Sequence, residues 1–146
     1  MLWISHRGNI WGKQPDRENH PVYIFEALAE GYWCEIDVWK TASGIALGHD
    51  EPQYTVNPNM LTIDRLVCHA KNKEALAYML DMGNVHCFWH DSDDYTLTSE
   101  NWIWAYPGKP SVGDNCYIAL PEIYSDDVSQ YAGVCSDIIG KYRNES

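Results

Sequence analysis

Three short polar clusters hold the residues with which this chain could do chemistry: His6-Arg7-Gly8-Asn9, Glu35-Ile36-Asp37 and Gly48-His49-Asp50. Each stands within or at the end of an apolar, strand-like run, and strand ends are where α/β folds gather reactive side chains. The residue types complement one another. Two histidines can exchange protons near neutral pH, an arginine offers a planar fork of donors to an anion, and two carboxylates can hold a hard cation through oxygen. A phosphodiester calls for this set because its negative charge repels nucleophiles. A cation must neutralise its oxygens, a base must activate the attacking hydroxyl, and an acid must protonate the leaving alkoxide.

Positioning these groups falls to a chain that alternates strand and helix signals. Met1 to Ser5 predicts a first strand. Asn19 or His20 can cap a helix that opens at Pro21 and carries Val22, Phe25, Ala27 and Leu28 at helical spacing up to Gly31. Tyr32 to Trp39 alternates, so Glu35 and Asp37 share one face while Cys34, Ile36 and Val38 share the other. Carboxylates flanked by apolar residues point to a strand buried on both sides, with a structural ion pair to Arg7 as the plain alternative. Thr41-Ala42-Ser43-Gly44 is too short for a parallel crossover. It predicts a hairpin whose return arm, Ile45 to Leu47, delivers His49 to the carboxylates.

Beyond Glu51 to Leu61, which reads as loop, Leu66 to Lys71 predicts a strand with His69 and Lys71 on one face. Asn72 to Met82 then predicts a helix ended by Gly83. Val85 to His90, Trp102 to Tyr106, Cys116 to Leu120 and Gly133 to Ile138 predict further strands, with a short helix between Pro121 and Tyr131. Asp91-Ser92-Asp93-Asp94 predicts an exposed acidic turn. The order implies an α/β fold, a compact and trimmed (β/α) TIM-type barrel with about seven to eight strands and few helices in its second half. Residues 1–146 make a single domain of this kind.

Taken together, Ile4-Ser5-His6-Arg7-Gly8, Glu18-Asn19, Gly31-Tyr32, Glu35-Ile36-Asp37-Val38 and Gly48-His49-Asp50 resemble the N-terminal half of the glycerophosphodiester phosphodiesterase family. That family belongs with the phosphatidylinositol-phospholipase-C-like barrels. The likeness is fainter beyond residue 50, where Cys68-His69-Ala70-Lys71 stands in place of the family's Glu-Ile-Lys and Cys135-Ser136-Asp137 looks like its closing Thr-Asp. The resemblance implies a metal-dependent phosphoric diester hydrolase acting on a small, polar phosphodiester. In it, His6 and His49 are the acid and base, Arg7 and Lys71 bind the phosphate, and Glu35 and Asp37 hold Mg²⁺ or Ca²⁺. His69 stands where a third acidic ligand is expected. It either ligates and shifts the preference toward Mn²⁺ or another transition metal, or serves the phosphate, or marks weakened metal binding. Two alternatives follow: a non-catalytic phosphate-ester-binding relative, and a lyase like the phospholipase-D toxins that stops at a cyclic phosphate.

Composition narrows the partners. A formal charge of −11, from 21 acidic against 10 basic residues, argues against nucleic acid or an anionic membrane as the main partner. The five cysteines, Cys34, Cys68, Cys87, Cys116 and Cys135, all lie in apolar runs without paired spacing, so they read as buried thiols. That reading predicts a reducing, cytoplasmic setting. No leader-like or membrane-spanning run is evident, which predicts no membrane insertion. Seven Trp and ten Tyr against two Phe predict a core and barrel lining rich in rings with a polar edge.

Overall fold

A computed structural model describes residues Met1–Ser146. Its elements run β1 (Leu2–His6), α1 (Pro21–Ala29), β2 (Trp33–Thr41), β3 (Gly44–Leu47), β4 (Tyr54–Thr55), β5 (Leu66–Ala70), α2 (Lys73–Met82), β6 (Cys87–Trp89), β7 (Tyr95–Leu97), β8 (Ile103–Ala105), β9 (Cys116–Ala119), β10 (Gly133–Ser136) and α3 (Ile139–Glu145). Local chemistry sets the helix ends. The His20 ring accepts the Val22 N–H to cap α1, and Asn72 caps α2, which stops at Gly83 with φ +80°. The segment expected to be helical between Pro121 and Tyr131 forms two 3-10 turns instead, Pro121–Ile123 and Val128–Gln130.

All ten strands belong to one mixed sheet. Strands β6, β5, β2, β1, β10, β9 and β8 are successive parallel neighbours. Strand β7 returns antiparallel to β8, and the β3–β4 ribbon pairs antiparallel with the far half of β2. The sheet is curled and open, which corrects the TIM-type barrel expected from sequence. Strand β6 ladders only with β5, and β7 only with β8. The cause lies in the connection after Trp89, where an exposed acidic loop replaces a crossover helix and sends the chain back antiparallel. Five hydrogen bonds cross the resulting seam: Thr96 Oγ1 donates to the Trp89 carbonyl (2.7 Å), Ser99 N to the Cys87 carbonyl (2.8 Å), Cys87 N to Ser99 Oγ (2.9 Å) and Ser99 Oγ to the Val85 carbonyl (3.0 Å), and His86 Nε2 bonds Thr98 Oγ1 (2.7 Å).

Alternation along the strands divides the core. Ile4, Val67, Phe88, Trp102, Trp104, Tyr117, Ala119 and Cys135 pack together although they come from six different strands or strand flanks, so their face is the concave one. On the convex side, α1, α2 and the β3 arm cover Cys34, Ile36, Val38, Leu66 and Cys68. Ile118, Val134 and Ile139 form a third cluster beside α3. All five cysteines are buried and free. No helix is long and apolar enough to cross a membrane.

Candidate functional site

Parallel pairing brings the three polar clusters to one end of the concave face. His6 stands opposite Glu35 in the β1–β2 register, and Asp37 opposite His69 in β2–β5. The hairpin turns where expected, leaving His49 Nδ1 3.7 Å from Asp37 Oδ2. Above them opens a cavity of about 450 Å³ lined by His6, Arg7, Glu35, His49, His69 and Lys71 on one side and by Phe88, His90, Trp104 and Tyr106 on the other. Every residue given a catalytic, phosphate-binding or metal-binding role from the sequence is on this cavity except Asp37, which lies fully buried just behind Arg7 and His69.

Arg7 is held in an unusual backbone conformation, φ +61°, followed by Gly8 at φ +99°. A side chain at Gly8 would run into the Tyr23 ring, so the turn that aims Arg7 depends on glycine here. The guanidinium then spans the site. Its NH1 donates to Glu18 Oε1 (3.1 Å), its NH2 to His49 Nδ1 (2.7 Å), and Nε lies 2.9 Å from Asp37 Oδ2. The ion pair with Asp37 that sequence left as the plain alternative is therefore present, alongside the contact to His49.

His6 Nδ1 lies 2.7 Å from Asp137 Oδ1 at the end of β10, and its Nε2 lies 3.5 Å from Glu35 Oε2. Burial opposes charge on the ring, but the Asp137 bond and the Glu35 carboxylate outweigh it and raise its pKa above the ordinary value. Asp137 in turn is held below the usual carboxylate range, because the His6 bond overrides its own burial. Its Oδ1 also accepts from Asn9 Nδ2 (2.8 Å). Glu122 braces this end of the strand, accepting from Ser136 Oγ (2.9 Å) and Asp137 N (3.2 Å). The sequence motifs include Asn9 in the first polar cluster and Asp137 in the closing one, but neither was assigned a role at the site. The signal was present for Asp137, an acid directly after an apolar strand.

The two central carboxylates behave oppositely. Burial and the adjacent Asp37 charge push Glu35 above its ordinary range. Burial acts on Asp37 as well, but the His49 and His69 rings and the Arg7 guanidinium prevail and hold its carboxyl well below the ordinary value. Asn19 fixes this side chain, donating from Nδ2 to Oδ2 (2.9 Å) and accepting the Asp37 N–H (2.9 Å). Glu35 Oε2 and Asp37 Oδ1 are buried and make no hydrogen bond. With His69 they form a group whose ligand atoms lie within 4.8 Å of one another. These donors fit a divalent cation, because a buried carboxylate oxygen without a partner is costly and a cation satisfies it.

The acidic turn after β6, with Asp91, Asp93 and Asp94, is exposed, as expected, and His90 stacks on Tyr106 with centroids 3.5 Å apart. Comparison with known proteins finds no matching family model, no similar curated protein and no similar solved structure.

Proposed function

We propose that the protein is a metal-assisted phosphodiesterase that cleaves a small, polar phosphodiester by histidine acid–base catalysis. One observation carries this reading: His6 and Arg7 from the end of β1 and His49 from beyond the β3 arm converge on a single cavity beside Glu35, with Asp37 buried directly behind it. Structural ion pairing alone would not place two imidazoles there.

His6 suits the acid. Its Nδ1–H is directed to Asp137, which leaves Nε2 toward Glu35 and the cavity, and the Asp137 and Glu35 carboxylates raise its pKa and so favour the protonated ring an acid requires. Arg7 NH2 occupies the Nδ1 lone pair of the more exposed His49. Capture of a phosphoryl oxygen by Arg7 frees that lone pair, so His49 becomes a base only once the anion is in place. Lys71 adds positive charge at the cavity wall. A divalent cation held by Glu35 and Asp37, with His69 beside them, would supply charge neutralisation at the phosphoryl oxygens. The buried free thiols fit a reducing compartment such as the cytoplasm.

Phosphorus NMR of the full chain incubated with glycerophosphodiesters and Mg²⁺, Ca²⁺, Mn²⁺ or Zn²⁺ tests the proposal. The expected result is a phosphomonoester, with turnover reduced at least about 10²-fold in both His6→Ala and His49→Ala. Accumulation of a cyclic phosphate would instead mark a lyase, and phosphate-ester binding without turnover under any metal would mark a non-catalytic binder. Near-normal activity in either histidine variant would remove that residue from its assigned role.

A further inference from the structure

We infer that the imidazole of His69, through Nδ1, completes the metal centre and directs it toward a first-row transition dication such as Mn²⁺ or Zn²⁺ rather than Mg²⁺ or Ca²⁺. The inference rests on reading the cavity as a metal-assisted site, but not on which ester is cleaved.

The argument begins with the oxygens. Glu35 is 3% exposed and Asp37 fully buried, yet Glu35 Oε2 and Asp37 Oδ1 have no hydrogen-bond donor. The other Asp37 oxygen is taken by Asn19 and Arg7, so Oδ1 is the one left to face a ligand. It lies 3.3 Å from His69 Nδ1, and Glu35 Oε1 lies 4.0 Å from the same nitrogen. Separations of this size suit atoms that share an ion at about 2.0–2.2 Å each.

The ring is held there by two independent constraints. Backbone register sets His69 directly beside Asp37, and the imidazole stacks on Phe88 with centroids 4.8 Å apart and planes 9° from parallel.

No further carboxylate is free to replace it. Glu18 is engaged by Arg7 and Asn9, and Asp137 by His6 and Asn9. The donor set is therefore two carboxylates and one imidazole. Mg²⁺ and Ca²⁺ favour oxygen throughout, whereas an imidazole nitrogen strengthens binding of Mn²⁺, Co²⁺ and Zn²⁺.

Any site of this charge binds Zn²⁺ more tightly than Mg²⁺, so the deciding measurement is the effect of changing position 69. Metal-stripped full-length protein is titrated calorimetrically with the chlorides of Zn²⁺, Mn²⁺, Mg²⁺ and Ca²⁺. His69→Ala should weaken Zn²⁺ and Mn²⁺ at least about tenfold with little change for Mg²⁺, and His69→Glu should narrow the Mn²⁺ over Mg²⁺ preference by about tenfold or more. Pulsed EPR of the Mn²⁺-loaded wild type, which does not depend on any variant folding, should show coupling to a histidine nitrogen.

Absence of that coupling, unchanged selectivity in a folded His69→Glu protein, or failure of all four ions to bind would overturn the inference. Phosphorus NMR on the same samples keeps the two proposals apart. Histidine-coordinated Mn²⁺ without turnover under any of the ions would overturn only the phosphodiesterase reading. Turnover with Mg²⁺ and no histidine coordination would overturn only the metal assignment.

Discussion

One amide joins the two halves of the polar cluster. Asn9 Nδ2 donates to Asp137 Oδ1 and to Glu18 Oε2, while its Oδ1 accepts from the Tyr23 hydroxyl and the Gln14 N–H. The contact that raises the His6 pKa and the contact that aims Arg7 are thereby fixed relative to each other. Asp137→Asn tests the His6 half of this arrangement. Asp137 raises the His6 pKa, and an acid in the role proposed for His6 loses activity as pH rises through its pKa, so removing the charge should move the alkaline limb of kcat/KM to lower pH. A fall of about 10²-fold in kcat should accompany the shift. An unmoved limb, read alongside NMR titration of the His6 ring, would show that Asp137 does not set the protonation of His6.

Among the elements, the joint between β2 and α2 is the most economical. Asn72 Oδ1 accepts from Ala75 N (3.0 Å) and from Lys40 N (3.1 Å), and its Nδ2 donates to the Lys40 carbonyl (2.8 Å). One side chain caps a helix and ties it to the sheet. Asn72→Ala should therefore cost about 2 kcal/mol, the upper end for a cap, because two Lys40 backbone groups lose their partner as well. Urea unfolding would show a lower midpoint with an unchanged slope, and no change in midpoint would refute the joint's role. Much at this scale was legible beforehand. The alternation in β2, the hairpin return and the capped helices all carry local signals, and they suffice to bring Glu35, His49 and His69 together. Sheet closure and α3 were not legible, because a loop such as Asp91–Asp94 does not state whether the next strand runs parallel or antiparallel. The roles of Asp137 and Asn9 escaped for a related reason: their partnership exists only once β10 pairs with β1.

For the molecule as a whole, acid sensitivity has an identifiable source away from the cavity. His86 is buried, and burial pulls its pKa from the ordinary 6.5 down to about 4. Thr98 Oγ1 already accepts from Glu100 N and Trp102 N, so its own proton goes to His86 Nε2 and the ring is held neutral. Between those pH values the unfolded chain binds the proton and the folded one does not, so this contribution is complete above about pH 6.5 and lost as pH falls toward 4. Thermal melts across that range should show a shallower loss for His86→Gln than for wild type; parallel curves would exclude His86 as the cause. The open seam has a different consequence. Five hydrogen bonds, most of them through side chains and at about 1 kcal/mol each, tie β6 and its flank to β7 and its flank, against continuous ladders elsewhere. His90 follows β6 and Tyr106 follows β8, so their stack reaches across that same gap at the rim of the cavity. Parting the seam leaves every ladder intact, so this wall of the cavity can breathe on its own while the side that carries His6, Arg7 and His49, set in the middle of the sheet, keeps its geometry.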